Sequence, residues 1–178
     1  DPATIEITMD KRKTHDFFVE NGFETPTMHA IPDGSVHTDS LPYPLILKPR
    51  RGSASIGIAK VVDRRELEFY RDRIANPVLQ EYVTGDEFTL DILVDFQGHT
   101  RCVVPRKRLE VRTGEVSKAV TVRDAHIIQV GERVAEALPG ALGPITVQGF
   151  LTEDRCFKLV EINPRFGGGH PLAIRAGA

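Results

Sequence analysis

The segment KLVEINPRFGGG, residues 158–169, sets a carboxylate, an amide and a guanidinium at alternate positions: Glu161, Asn163 and Arg165. A buried strand normally ends in apolar residues, because an unpaired charge in a core is costly. Alternation along a strand predicts that Phe157, Leu159, Glu161 and Asn163 share one face. A four-residue loop at 152–155 then pairs Leu151 with Cys156 and Gln148 with Leu159, which leaves Gln148 one diagonal step from Glu161. Three oxygen donors with a single carboxylate suit Mg²⁺, which takes few protein carboxylates and fills its shell from phosphate. The same three residues also read as a polar strand edge facing solvent. Arg165 lies two positions beyond Asn163, spaced to meet phosphate oxygens bidentately. The glycines at 167–169 allow close backbone approach to a ligand, or simply a turn.

A second candidate is LILKPRRGSASIG, residues 45–57. It puts Lys48 at the end of an apolar strand, just before a glycine/serine loop. Such a lysine can act as a point charge for phosphate while loop amides cradle the rest; a solvated hairpin tip is the plainer alternative. Neither a Walker A loop nor G-x-G-x-x-G is present. A third candidate is VLQEYVTGDEFTLDI, where Gln80, Glu81, Tyr82 and Val83 precede Gly85 and Glu87. A hinge of this kind can read an adenine edge through its backbone, with a carboxylate spaced for a ribose hydroxyl. Protein kinases have an analogous hinge, but their H-R-D and D-F-G motifs are missing.

The chain that must position these residues has 178 of them, enough for one domain or one domain in two lobes. Net charge is −2, so no global basic field attracts nucleic acid or anionic lipid. Short basic clusters at Arg50-Arg51 and Arg106-Lys107-Arg108 suit a small anionic ligand better. No apolar run reaches membrane-spanning length. Cys102 and Cys156 lack metal or redox spacing and read as reduced core residues of a cytoplasmic protein. Asp10 predicts an N-cap for a helix KRKTHDFFVEN closed by Gly22. PTMHAI predicts a short strand, PDGS at 32–35 a turn, and 43–49 with 58–62 a hairpin. Asp63 and Glu66 form a capping box for a helix running to about Ala75, with Leu67, Tyr70 and Ile74 inward. Strands follow at 78–83, 87–95 and TRCVVP, then a basic polar connection over 106–118. A helix from about Ala125 to Leu138 faces inward through Ile127, Val130, Val134 and Leu138, and a hairpin joins 145–151 to 156–163. The sum is α+β, with antiparallel sheets in two lobes split near 78/79.

Taken together, LILKPRRGSASIGIAKV, VLQEYVTGDEFTLDI and VQGFLTEDRCFKLVEINPRFGGGHPLAIRAGA resemble the ATP-grasp superfamily from about Asp10 onward. LEVRTGEVSKAVTV is similar to a stretch of its carbamoyl-phosphate-synthase-like group, while KPRRGSASIG looks like the loop of D-alanine–D-alanine ligases. Lys48 stands where carbamoyl phosphate synthases usually have arginine.

The resemblance implies two α+β lobes, 1–78 and 79–178, gripping ATP between their sheets. An N-terminal domain and a C-terminal end of the family are expected to lie outside this chain. Lys48 matches the lysine on the ATP phosphates, and Arg51, Gly52, Ser53, Ala54, Ser55 and Ile56 match the lid. Residues 80–83 match the adenine hinge and Glu87 the ribose carboxylate. Gln148, Glu161 and Asn163 match the Mg²⁺ ligands, where Mn²⁺ can substitute, and Arg165 faces the transferred phosphate. Most members are ligases that convert a carboxylate to an acylphosphate and let an amine displace the phosphate. The implied partners are therefore a small carboxylic acid and an amine, with neither nucleic acid nor membrane, in a chain compatible with a homodimer. Arg106, Arg108 and Arg112 are candidates for holding the acid, or form a solvated basic loop. A phosphotransferase of the same fold, a carbamoyl-phosphate-synthase-type enzyme and a non-catalytic nucleotide-binding module are the competing expectations.

Overall fold

The computed structural model describes residues 1–31, 40–52, 56–112 and 115–177, apart from the side chains of Arg112 and Glu115. The elements run α1 (Pro2–Thr8), α2 (Lys11–Glu20), β1 (Met28–His29), β2 (Leu45–Pro49), β3 (Ala59–Val61), α3 (Arg64–Arg71), β4 (Pro77–Glu81), β5 (Asp86–Val94), β6 (Thr100–Arg112), β7 (Glu115–Thr121), α4 (Ala125–Ala137), β8 (Gly143–Leu151), β9 (Phe157–Asn163) and α5 (His170–Arg175). They build a four-stranded sheet in the order β1-β4-β2-β3 and a five-stranded sheet in the order β7-β6-β5-β8-β9. All pairings are antiparallel.

Alternation along the strands divides each sheet into a core face and a second face. In the five-stranded sheet Phe88, Leu90, Ile92, Ile145, Val147, Leu159 and Ile162 pack with Phe17 and Phe18 of α2 and with Ile127, Val130 and Val134 of α4. The helices thus cover one face and leave the other for the cleft. The four-stranded sheet has a smaller core of Leu45, Leu47, Val61, Leu67 and Leu79. Helix ends follow local chemistry: Asp10, Asp63 and Asp124 each accept backbone N–H groups as N-caps. α1, absent from the sequence reading, starts the same way, with Asp1 accepting from the Ala3 N–H and Pro2 in the first turn.

Two sequence expectations are corrected in these elements. The polar stretch 106–118 is no connection: β6 runs to Arg112 and pairs with β7, so the basic residues lie on a long hairpin. Their charges did not exclude a strand, because β5 supplies partners: Lys107 pairs Asp86 at 2.6 Å, Arg108 pairs Glu87, and Arg106 pairs Asp91. The helix after Asp63 ends at Arg71 rather than near Ala75, although Tyr70 and Ile74 still pack inward. The expected boundary at 78/79 falls inside β4, which belongs to the first sheet, while α1 and α2 contact the second. The turn expected at 32–35 lies outside the described residues.

The register of the last hairpin is the correction that matters for the site. Leu151 pairs with Phe157, not Cys156, and Gly149 with Leu159. A β-bulge at Val160 then sets Gln148 directly opposite Glu161 and Thr146 opposite Asn163. A bulge gives two residues of one strand to one of the other and resets the alternation. Phe157 and Leu159 therefore point to the core together with Ile162, and Glu161 and Asn163 point the other way. The expectation that all four share a face is wrong by one inserted residue.

Candidate functional site

The free faces of the two sheets enclose a cleft of about 650 Å³. Its lower wall is built from three neighbouring rows of side chains. One row runs straight across the five-stranded sheet, Arg106–Thr89–Gln148–Glu161, each residue the strand partner of the next. Beside it runs Asp91–Thr146–Asn163, and on the other side Glu87 and Phe150. Gln148, Glu161, Asn163 and Arg165 all line the cleft.

The upper wall is basic. Lys48 sits at the end of β2 and is 5% exposed. Burial first, then the neighbouring Lys11 ammonium, lower its pKa to about 8, against the opposing pull of Glu161. Lys11 was not singled out from sequence. Its place follows from Asp10, a buried carboxylate that caps α2 and accepts from Arg50 Nε at 2.8 Å. The Lys11 backbone N–H donates to the Arg50 carbonyl at 3.0 Å and its Nζ to the Gly52 carbonyl at 2.9 Å. α2 is thereby stapled to the end of β2, and two ammonium groups enter one cleft. Burial also lowers the Lys11 pKa, with Glu161 and Asp10 acting against it. The cap at Asp10 was readable in the sequence, but its burial and its bond to Arg50 were not.

The hinge divides its groups between scaffold and cleft. Gln80 is buried, and its Nε2 donates to the Pro26 carbonyl at 3.2 Å. Glu81 accepts from Lys158 Nζ at 2.6 Å and from the Thr27 N–H at 3.0 Å. Burial works against its charge, but these bonds hold its pKa below the usual carboxylate range. Tyr82 lies under Lys60 Nζ, 3.8 Å from the ring centroid. Gly85 follows, where a Cβ would stand 2.4 Å from the Leu151 carbonyl oxygen, so only glycine lets the chain cross there. Glu87 lines the cleft but pairs with Arg108; burial raises its pKa despite that cation. Arg108 is thus engaged with Glu87 rather than free for an acid.

The lid expectation is met unevenly. Gly52 and Ile56 line the cleft, whereas Arg51 does not and has its guanidinium 3.8 Å from Asp10. Ser53, Ala54 and Ser55 lie outside the described residues, as does the Arg112 side chain. Among the described residues no three His, Cys, Asp or Glu side chains gather as a metal group. The donor set facing the lysines is one carboxylate and two amides. That set suits Mg²⁺, a hard cation that keeps part of its shell for phosphate oxygens. No helix among the described residues is long and apolar enough to cross a membrane, and Cys102 and Cys156 are free and half-buried.

Comparison with known proteins agrees with this architecture. The model of the ATP-grasp domain family matches residues 8–169, and the chain belongs to that family. D-alanine–D-alanine ligase of Ralstonia pickettii (strain 12J) is 32% identical over 101 residues, 53% of this chain and 30% of that protein. The L-amino acid ligase of Bacillus licheniformis superposes with a TM-score of 0.74 at 24% identity, over 96% of this chain and 43% of its own. A biotin carboxylase complex from Campylobacter jejuni gives 0.81 at 17% identity, over 97% and 44%. The structural likenesses carry the fold alone. The chain spans 30% of that first relative and under half of either structure.

Proposed function

We propose that this chain forms the nucleotide-binding cleft of an ATP- and Mg²⁺-dependent ligase that activates a carboxylic acid as an acylphosphate and joins it to an amine. The observation that carries this reading is the opposition of walls: Lys11 and Lys48 on one side, and Gln148, Glu161 and Asn163 on the other, in a single cleft. Two cations facing one carboxylate leave a space whose charge is completed by a polyphosphate with its cation. The ligase names of the relatives agree with it.

In this reading Lys11 and Lys48 hold the phosphates from above, with Gly52 and Ile56 closing over them. Glu161, Asn163 and Gln148 would hold Mg²⁺, with Mn²⁺ as its substitute, and the ion would supply positive charge to the transferred phosphoryl group. Arg165, exposed at the cleft mouth with Nη1 on the Phe166 carbonyl, turns to the transferred group. The backbone of residues 81–83 borders adenine, and Glu87, steadied by Arg108, meets the ribose. Phosphoryl transfer asks the protein mainly for position and charge, and these residues supply both. The amine then displaces phosphate from the acylphosphate, forming the C–N bond and releasing phosphate. A cytoplasmic setting belongs to the same reading.

ADP release by the full-length protein, measured with Mg-ATP against panels of acids and amines, tests it. Wild type forms ADP and amide together, and Glu161→Ala loses about a hundredfold or more of that rate, the scale of an electrostatic contact to the transition state. A stable phosphorylated acid without amide would make the protein a phosphotransferase. No ADP from any pair would leave a binding module.

A further inference from the structure

Arg106 is the most deeply buried cation of the described chain, 1% exposed, yet it lines the cleft. Asp91, 2% exposed, takes Nε at 2.5 Å and Nη2 at 3.2 Å. Nη1 has no hydrogen-bond partner among the described residues. A buried charged donor left unsatisfied is expensive, and native structures retain one where a ligand completes it. The glycine run is shaped around this group. A Cβ on Gly169 would stand 2.2 Å from Nη1, and one on Gly167 would stand 3.2 Å from Thr146 Oγ1 and 3.5 Å from Asp91 Oδ1. Gly169 is therefore laid against a guanidinium that any larger side chain there would displace, and Gly167 lies beside Thr146 and Asp91.

The cross-strand row fixes where this donor sits. Asp91 tethers the guanidinium toward β5, and β5 lies two strand spacings, roughly 10 Å, from β9 and its Glu161. That span takes a phosphoryl group and one further oxyanion in sequence. The phosphoryl end is set by Glu161 and the two lysines. At the other end Asp91 already neutralises Arg106, so the pair offers donor N–H groups with little net charge. Such a pair suits one carboxylate oxygen better than a dianionic phosphate.

We propose that Arg106 is the substrate-acid donor of the cleft: its Nη1 takes a carboxylate oxygen, Asp91 is the positioning residue that aims it, and Gly169 leaves it room. This rests on the ligase reading and takes up Arg106 among the candidates for holding the acid. Arg108 is occupied by Glu87.

Full-length protein labelled with ¹⁵N-arginine, titrated separately with acetate, inorganic phosphate and Mg-ADP, tests the proposal. Acetate shifts the Arg106 Nη signals. Arg106→Lys and Gly169→Ala each weaken acetate binding by about tenfold or more, the factor for one lost charge-assisted bond. Mg-ADP affinity stays within about twofold, since neither residue belongs to the phosphate end. Gly169→Ala keeps both charges and carries the test if Arg106→Lys does not fold. Asp91→Asn moves the Arg106 Nε signal and weakens acetate; a merely structural role would lower only the melting temperature. Mg-ADP binding without Arg106-dependent acetate binding overturns the inference and leaves the ligase reading standing. Acetate binding through Arg106 without Mg-ADP binding overturns the ligase reading and keeps the oxyanion site. An Arg106 shift with phosphate and none with acetate overturns the carboxylate assignment.

Discussion

The two walls of the cleft solve the problem of holding charge in different ways. The upper wall presents ammonium groups and keeps them by burial and by backbone staples, as with Lys48 at the end of β2 and Lys11 of α2 on the Gly52 carbonyl. The five-stranded sheet presents oxygens and keeps them by register, through the row Thr89–Gln148–Glu161 and the bulge at Val160. Register is secured by a large core under the sheet, to which α2 with its Lys11 also belongs, whereas Lys48 stands over only Leu45, Leu47, Val61, Leu67 and Leu79. Gln148, Glu161 and Asn163 thus stand on the sheet with the larger core, and Lys48 on the sheet with the smaller one.

The largest effect that can break this contrast is on stability. Leu90 and Leu47 are both fully buried, one in each core. Leu90→Ala is expected to cost about 4–5 kcal/mol, the upper end of the buried leucine range, because α4, β6 and β8 hold the surrounding cavity open. Leu47→Ala is expected at about 2–3 kcal/mol, because a small cluster can close on the void. Chemical denaturation measures both. Equal costs, with one shared transition, would show the walls to be a single cooperative unit.

A smaller effect separates the walls by cation. Lys48→Met should weaken ADP binding roughly 10- to 100-fold, as expected for a lost charged contact, with or without Mg²⁺. Asn163→Ala should weaken it only when Mg²⁺ is present, and match wild type in EDTA. Calorimetry in the two buffers reads this directly. If Asn163→Ala costs as much in EDTA, the oxygen wall touches nucleotide itself and the metal assignment fails.

The legible part of this molecule was the part encoded within single segments. Asp10, Asp63 and Asp124 announced their helices, and the apolar faces of α4 and β2 were readable by period. The resemblance supplied the order of the site along the chain. What stayed hidden depended on partners distant in sequence. Nothing in residues 106–112 reveals that three of the basic groups meet Asp86, Glu87 and Asp91, and without them the segment looks like a polar loop. Lys11 gains its position from a cap bonded to Arg50, forty residues away. The Val160 bulge has no marker in its own side chain. Period-two reasoning therefore chose Glu161 and Asn163 of β9 while placing Phe157 and Leu159, which face the core, on the same face as them.

The last contrast between the walls is with pH. Lys48 titrates at about 8 in the folded chain, against its ordinary 10.5. Below pH 8 both folded and unfolded chains keep the proton, and the cost of burying the charge is fully present. Between about 8 and 10.5 the unfolded chain still binds a proton that the folded chain has released, so this lysine's contribution to stability rises with pH. Nucleotide binding runs the other way. Phosphates favour the charged lysine, so ADP affinity should fall as pH passes about 8, by up to tenfold per pH unit. Lys11 and Glu161 face the same group, and Lys11 also has a lowered pKa, so part of the slope can survive in Lys48→Met. The quantity that decides is the difference between wild type and Lys48→Met, in melting temperature and in ADP affinity, followed from pH 7 upward. Opposite slopes in the two measurements identify a buried lysine whose discharge relaxes the fold and disarms the phosphate wall. Parallel profiles for the two proteins would mean that Lys48 keeps its proton throughout that range.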